Sequence, residues 1–145
     1  MKKSNALKFF AFALLALVVT SCSKYEEGSK FTVLTKKQRL VNTWTMSKTT
    51  VVDDNNGNSA DITANMPDIT IDIKKDGTYT FTSTSGSFSN TDNGTWVFSS
   101  DKLNVLQTDS NGDTESAVII KLKNKELKMS STSGNYTTIS EYTGL

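Results

Sequence analysis

Residues 68–82 alternate between polar and apolar side chains, and a turn-forming pair interrupts the alternation once. Ile69, Ile71 and Ile73 interleave with Asp68, Thr70 and Asp72; Asp76-Gly77 follows, and Tyr79 and Phe81 then interleave with Thr78, Thr80 and Thr82. A period of two sends successive side chains to opposite faces of a strand, so each run reads as a strand with one buried and one wet face. Asp-Gly between two such runs is a hairpin turn. The pattern continues downstream. A small-residue stretch at Ser85-Gly86-Ser87 precedes Phe88, Asn93-Gly94 reads as a turn, and Trp96 and Phe98 share a face beyond it. Leu103 and Val105, then Val118, Ile120 and Leu122, then Leu127 and Met129 form further runs, separated by Asn111-Gly112 and Asn124-Lys125. Tyr136, Ile139 and Tyr142 carry the last strand.

Upstream, Thr35-Lys36-Lys37-Gln38 is a capping box that opens a short helix reaching about Val41. A strand from Trp44 to Val52 follows and ends in Asp53-Asp54-Asn55-Asn56-Gly57-Asn58, a run of turn formers. About eight strands at short, regular spacing predict an all-β barrel or sandwich. The loops are too short for parallel crossovers, so neighbouring strands are antiparallel. Serine and threonine number 39 of 145 residues. Threonine suits a pleated, half-exposed surface, which reinforces the β reading.

The chemical inventory is sparse. Histidine is absent and cysteine occurs once, as Cys22. Ser-His-Asp and Cys-His sites and histidine-ligated metal centres are therefore excluded. Carboxylate pairs remain, but Asp68 and Asp72 on one strand face stand about 13 Å apart at about 3.4 Å per residue. Glycosidase pairs need about 5–9.5 Å. Two acidic loops, Asp53–Asp61 and Asp109–Asp113, lack the glycine-sixth, glutamate-twelfth spacing of helical calcium loops and read as solvated turns. No cofactor, no metal and no enzyme activity is expected.

The amino-terminal segment is of another kind. Phe9–Val19 is an unbroken run of 11 apolar residues behind Lys2, Lys3 and Lys8. A transmembrane helix needs about 20, so the run reads as a cleaved export segment. Val19-Thr20-Ser21-Cys22 resembles a bacterial lipoprotein signal, in which the Cys22 thiol receives a diacylglycerol and the chain is cut before it; an ordinary signal peptide is the alternative. Ser23-Lys24-Tyr25-Glu26-Glu27 resembles the surface-export tag of Bacteroidota lipoproteins. The resemblance implies a lipid-anchored outer-membrane protein at the cell surface, with a periplasm-facing one as the alternative, and the membrane as partner through Cys22. Domain boundaries follow: residues 1–21 a signal peptide, 22–34 a lipidated polar tether, 35–145 one folded domain. Removing residues 1–21 also removes three lysines, leaving 13 basic against 15 acidic residues. A net charge near −2 gives no electrostatic reason to bind nucleic acid.

Three landmarks in order, Leu40-Val41-Asn42-Thr43-Trp44, Asp76-Gly77-Thr78-Tyr79-Thr80-Phe81 and Asn93-Gly94-Thr95-Trp96-Val97-Phe98, resemble the small lipocalin-like domains of Bacteroidota lipoproteins. Asn42 stands where that family carries glycine, and the only arginine, Arg39, is early rather than late in the chain. The resemblance implies an up-and-down antiparallel barrel of about eight strands behind a short helix. Such a barrel is either filled by its own side chains or holds one small ligand. Trp44, Tyr79, Phe81, Trp96 and Phe98 fall on the inward phase, as core or as the lining of a pocket open at one end. The expected function is a non-catalytic binding module for a small apolar or glycan ligand. A solid barrel whose loops dock another envelope protein is the alternative class, and a carboxylate hydrolase a remote third.

Overall fold

Thr35 caps the helix that precedes the barrel strands. The structure is a computed structural model that describes residues 33–145 and the backbone of Glu26–Glu27; Cys22 and the expected export segment lie outside the described residues. The Thr35 hydroxyl accepts a 3.2 Å hydrogen bond from the Gln38 N–H, and the Gln38 side chain accepts one of 2.8 Å from the Thr35 N–H. This reciprocal cap opens helix α1 (Lys36–Leu40). Val41 ends it in extended geometry, its N–H bonded to the Lys37 carbonyl, and the chain enters a strand at once.

The described residues form ten strands: β1 (Glu26–Glu27), β2 (Asn42–Asp53), β3 (Ser59–Asp61), β4 (Asp68–Ile73), β5 (Thr78–Ser85), β6 (Phe88–Phe98), β7 (Asn104–Thr108), β8 (Thr114–Leu122), β9 (Glu126–Ser133) and β10 (Tyr136–Gly144), of which the short β1 and β3 were not expected from the alternation. Eight of them close an antiparallel up-and-down barrel in the order β2-β4-β5-β6-β7-β8-β9-β10, with β10 pairing back onto β2. β3 pairs with Thr50–Val52, the part of β2 beyond its pairing with β4. β1 lies parallel to β8 at Lys121 and Leu122, past the end of the β7–β8 pairing.

Two local expectations are overturned. Asn93-Gly94 is not a turn: β6 runs through it, paired with β5 from Ser85↔Phe88 to Thr78↔Thr95. The reversal falls instead at Gly86, which holds φ +57, a backbone region in which glycine has no Cβ to clash. The second correction concerns β8, where Val118, Ile120 and Leu122 do not share the buried face. Ile119 and Leu122 are buried, while Val118 is 46% exposed. A register shift between Ile119 and Lys121 inserts one extra residue and flips the phase of everything before it.

The barrel has two unlike ends. At one end lie the start of β2, the β4–β5, β6–β7 and β8–β9 turns, and α1. Leu40, Trp44, Ile73, Trp96, Leu122 and Leu127 fill it and are nearly inaccessible. The Trp44 indole N–H donates to the Leu40 carbonyl (2.8 Å), which ties α1 across the opening. The Trp96 indole N–H donates to the Lys74 carbonyl (3.0 Å), and the Lys37 ammonium stands 5.6 Å from the centre of the Trp96 ring. Trp96 and Phe98 meet edge to face at 5.6 Å. Arg39, the lone arginine, is also buried. This end is solid.

Candidate functional site

At the opposite end the inward rows change character. Going outward along β6, the inward positions are Trp96, Gly94 and Asp92; along β7 and its turn they are Val105, Gln107 and Asp109. β8 gives Ile119, Ala117 and Glu115, β9 gives Leu127, Met129 and Ser131, and β10 gives Tyr142, Ser140 and Thr138. Each row turns from large and apolar to small or polar within about four residues. A barrel of constant circumference cannot be filled by shorter side chains, so a cup of about 410 Å³ remains. Ile71, Tyr79, Phe81, Met129 and Tyr142 form its lower wall, and hydroxyls and carboxylates form the upper part.

The wall is also split. β8 pairs with β9 only from Val118 to Leu122, while Thr114–Ala117 pair with β7 alone and Ser131–Ser133 with β10 alone. Glu115, Ser116 and Ala117 on one side and Ser130 and Ser131 on the other line the cup. Similarly, Phe88–Gly94 of β6 pair only with β5. The cup therefore opens both at the barrel end and along its flank.

Of the five aromatics expected inside, the structure brings only Tyr79 and Phe81 to the cup. Trp44 and Trp96 belong to the solid end, and Phe98 packs against that core. Tyr142 and the ring of polar residues were not singled out as site residues from the sequence. For β9 the row of Leu127 and Met129 leads on to Ser131, whereas Asp92 was hidden behind the turn expected at Asn93-Gly94, and Ala117 and Glu115 by the phase reversal in β8.

Four carboxylates line the cup: Asp92, Asp109, Asp113 and Glu115. Asp92 accepts from the Ser110 hydroxyl (3.0 Å) and the Asn93 N–H (2.8 Å). Asp109 accepts from the N–H groups of Asn111 and Asp113, each at 2.9 Å. Desolvation works against its charge, but these hydrogen bonds outweigh it and hold the carboxyl below the ordinary aspartate range. Among the described residues no group of three or more acidic or cysteine side chains is placed to hold a metal ion.

Both cup tyrosines resist ionisation. Burial raises Tyr79 above the usual 10.0, and the negative charges of Asp92, Asp109 and Glu115 push the same way. Burial also raises Tyr142, with a Ser140 hydrogen bond opposing it. A phenol whose folded value is raised contributes stability that is complete below its unfolded pKa of about 10 and lost as pH rises through the folded value. The alkaline limb of the stability curve should therefore lie above pH 10. Tyr142→Phe, with nothing to ionise there, should flatten that limb in urea unfolding followed from neutral pH upward. An unchanged limb would show that Tyr142 is solvated.

A family model described as a lipocalin-like domain matches residues 40–129, from the end of α1 into β9. No curated protein matches the chain.

Proposed function

Because the chain belongs to the lipocalin-like domain family, we propose that it is a lipid-anchored envelope protein whose barrel binds a small, hydroxyl-rich ligand of the glycan class without transforming it. The cup carries this reading. Its volume of about 410 Å³ falls within the range of small-molecule sites, about 300–1,000 Å³. Its wall combines aromatic faces at Tyr79, Phe81 and Tyr142 with the hydroxyls of Ser116, Ser130, Thr138 and Ser140 and the Gln107 amide. Saccharides present the matching surfaces, an apolar ring face and a hydroxyl rim. A wholly apolar ligand would strip water from those hydroxyls and from four carboxylates and return no hydrogen bonds, a cost of about 1–3 kcal/mol per group. That weighs against the apolar class.

A carboxylate hydrolase needs one carboxyl held protonated as a general acid. Asp109, held below the ordinary range, is not such a group.

The anchor rests on the Cys22 signature.

Two measurements test these parts separately. Growth with labelled palmitate should mark the wild-type chain and not Cys22→Ala; an unmarked wild-type protein removes the anchor. Titrating the full chain in mild detergent with mono- and disaccharides should move the amide resonances of Ser130, Ser131 and Ser140 and leave Trp44 still. Saccharides that move no cup resonance would end the glycan reading.

A further inference from the structure

We infer that the cup selects a cationic ligand, a hydroxylated organic amine whose ammonium sits at the upper wall among Asp92, Asp109, Asp113 and Glu115; this rests on the cup being the binding site and specifies the charge of what enters it. The cavity makes the site, and the carboxylates decide its sign. Its lining holds those four acids and no lysine or arginine. The whole chain is close to neutral, at a formal +1, so this wall is a local excess of one charge. Asp92 reaches the opening from β6, and Asp109, Asp113 and Glu115 reach it from the β7–β8 turn and the start of β8, the last two exposed at the rim. Asp92, Asp109 and Glu115 continue the inward rows of Trp96, Val105 and Ile119. Carboxylates gathered around one opening repel one another, and a bound counter-charge relieves that repulsion. No ion pair among the described residues involves any of the four.

Placement narrows the cation further. Because these acids do not group as a metal site, they suit separate hydrogen bonds to an extended organic ion better than coordination of one point charge. The fields of Asp92, Asp109 and Glu115 all reach the Tyr79 phenol, so three of the charges bear on one region. The Tyr79 ring supplies an aromatic surface there, which adds cation–π attraction.

Glucose and glucosamine differ by one hydroxyl against one ammonium and separate charge from shape. Both are titrated into the full chain in mild detergent at mildly acidic pH, following cup resonances and calorimetry. Glucosamine should bind at least about tenfold tighter, the size of one charge-assisted hydrogen bond. Added salt should weaken glucosamine and leave glucose unchanged. Glu115→Gln, isosteric and without a hydrogen bond to lose in the fold, should bring glucosamine towards glucose, and Asp92→Asn/Glu115→Gln should complete the convergence. The salt series needs no variant and holds even if the double substitution unfolds. Equal binding of the two sugars in the cup would overturn the charge inference and leave the glycan reading standing. Tight glucosamine binding that survives both salt and Glu115→Gln would overturn it as well, as would calcium displacing glucosamine at submillimolar concentration. Failure of both sugars to move any cup resonance would sink the cup reading itself.

Discussion

Trp44→Ala should cost the barrel about 3–5 kcal/mol, the range for emptying a large buried aromatic site. Trp44 has no solvent exposure, and its ring covers Gly144 across the β2–β10 seam, where a Cβ would stand 2.9 Å from the indole. Truncation therefore opens a void at the strand pair that closes the barrel. It also removes the indole hydrogen bond to the Leu40 carbonyl, which fastens α1 over the solid end. Domains of this size are stable by about 5–15 kcal/mol, so about a fifth of the total or more is at stake. Urea unfolding should show a lower midpoint, and α1 amides should exchange faster than those of β5. Trp44→Phe, which keeps most of the volume and loses the donor, should fall between wild type and Trp44→Ala. A loss below about 1 kcal/mol for Trp44→Ala would mean that the seam does not depend on this ring.

Gly94→Ala should be nearly as damaging, for the opposite reason. The added Cβ would run into the Thr108 carbonyl oxygen and come within 2.7 Å of the Tyr79 ring. Backbone cannot step aside without breaking the β6–β7 pairing that begins at Thr95↔Thr108, and the Tyr79 ring could yield only by swinging into the cup. Overpacking of this kind costs about 1–3 kcal/mol, and contact with backbone places it at or above the upper end. Gly57→Ala is the matched comparison. A Cβ there meets nothing within 4 Å, although φ is +73, so only the left-handed backbone penalty of about 1–2 kcal/mol applies. If the two variants melt alike, steric closeness at Gly94 is not what sets its cost.

Gly94 also links fold to site. It is the point where β6 stops being a two-stranded ribbon with β5 and joins β7, and it sits between Trp96 of the solid end and Asp92 of the cup. The Tyr79 ring packs over it, in the way cross-strand aromatics cover strand glycines. Close approach at one residue thus fixes the floor of the cup on this side and aims Tyr79 across it.

The chain by itself determined the parts whose causes are local. The capping box at Thr35, the Asp76-Gly77 turn, the inward phase of Ile69, Ile71 and Ile73, and a run of about eight antiparallel strands follow from side-chain spacing and turn chemistry over a few residues; a barrel rather than a sandwich was what the family resemblance implied. Tertiary structure alone decided where the barrel is hollow. A polar residue on an inward phase, such as Asp92 or Ser140, is indistinguishable in sequence from one facing water, until closure shows that the opposing rows turned polar at the same height. Pairing with β5 likewise carried Asn93-Gly94 through as strand, and one extra residue near Ile120 reversed the facing of Val118. These outcomes depend on what lies across the sheet, and a chain reports its neighbours along the backbone, not those across it.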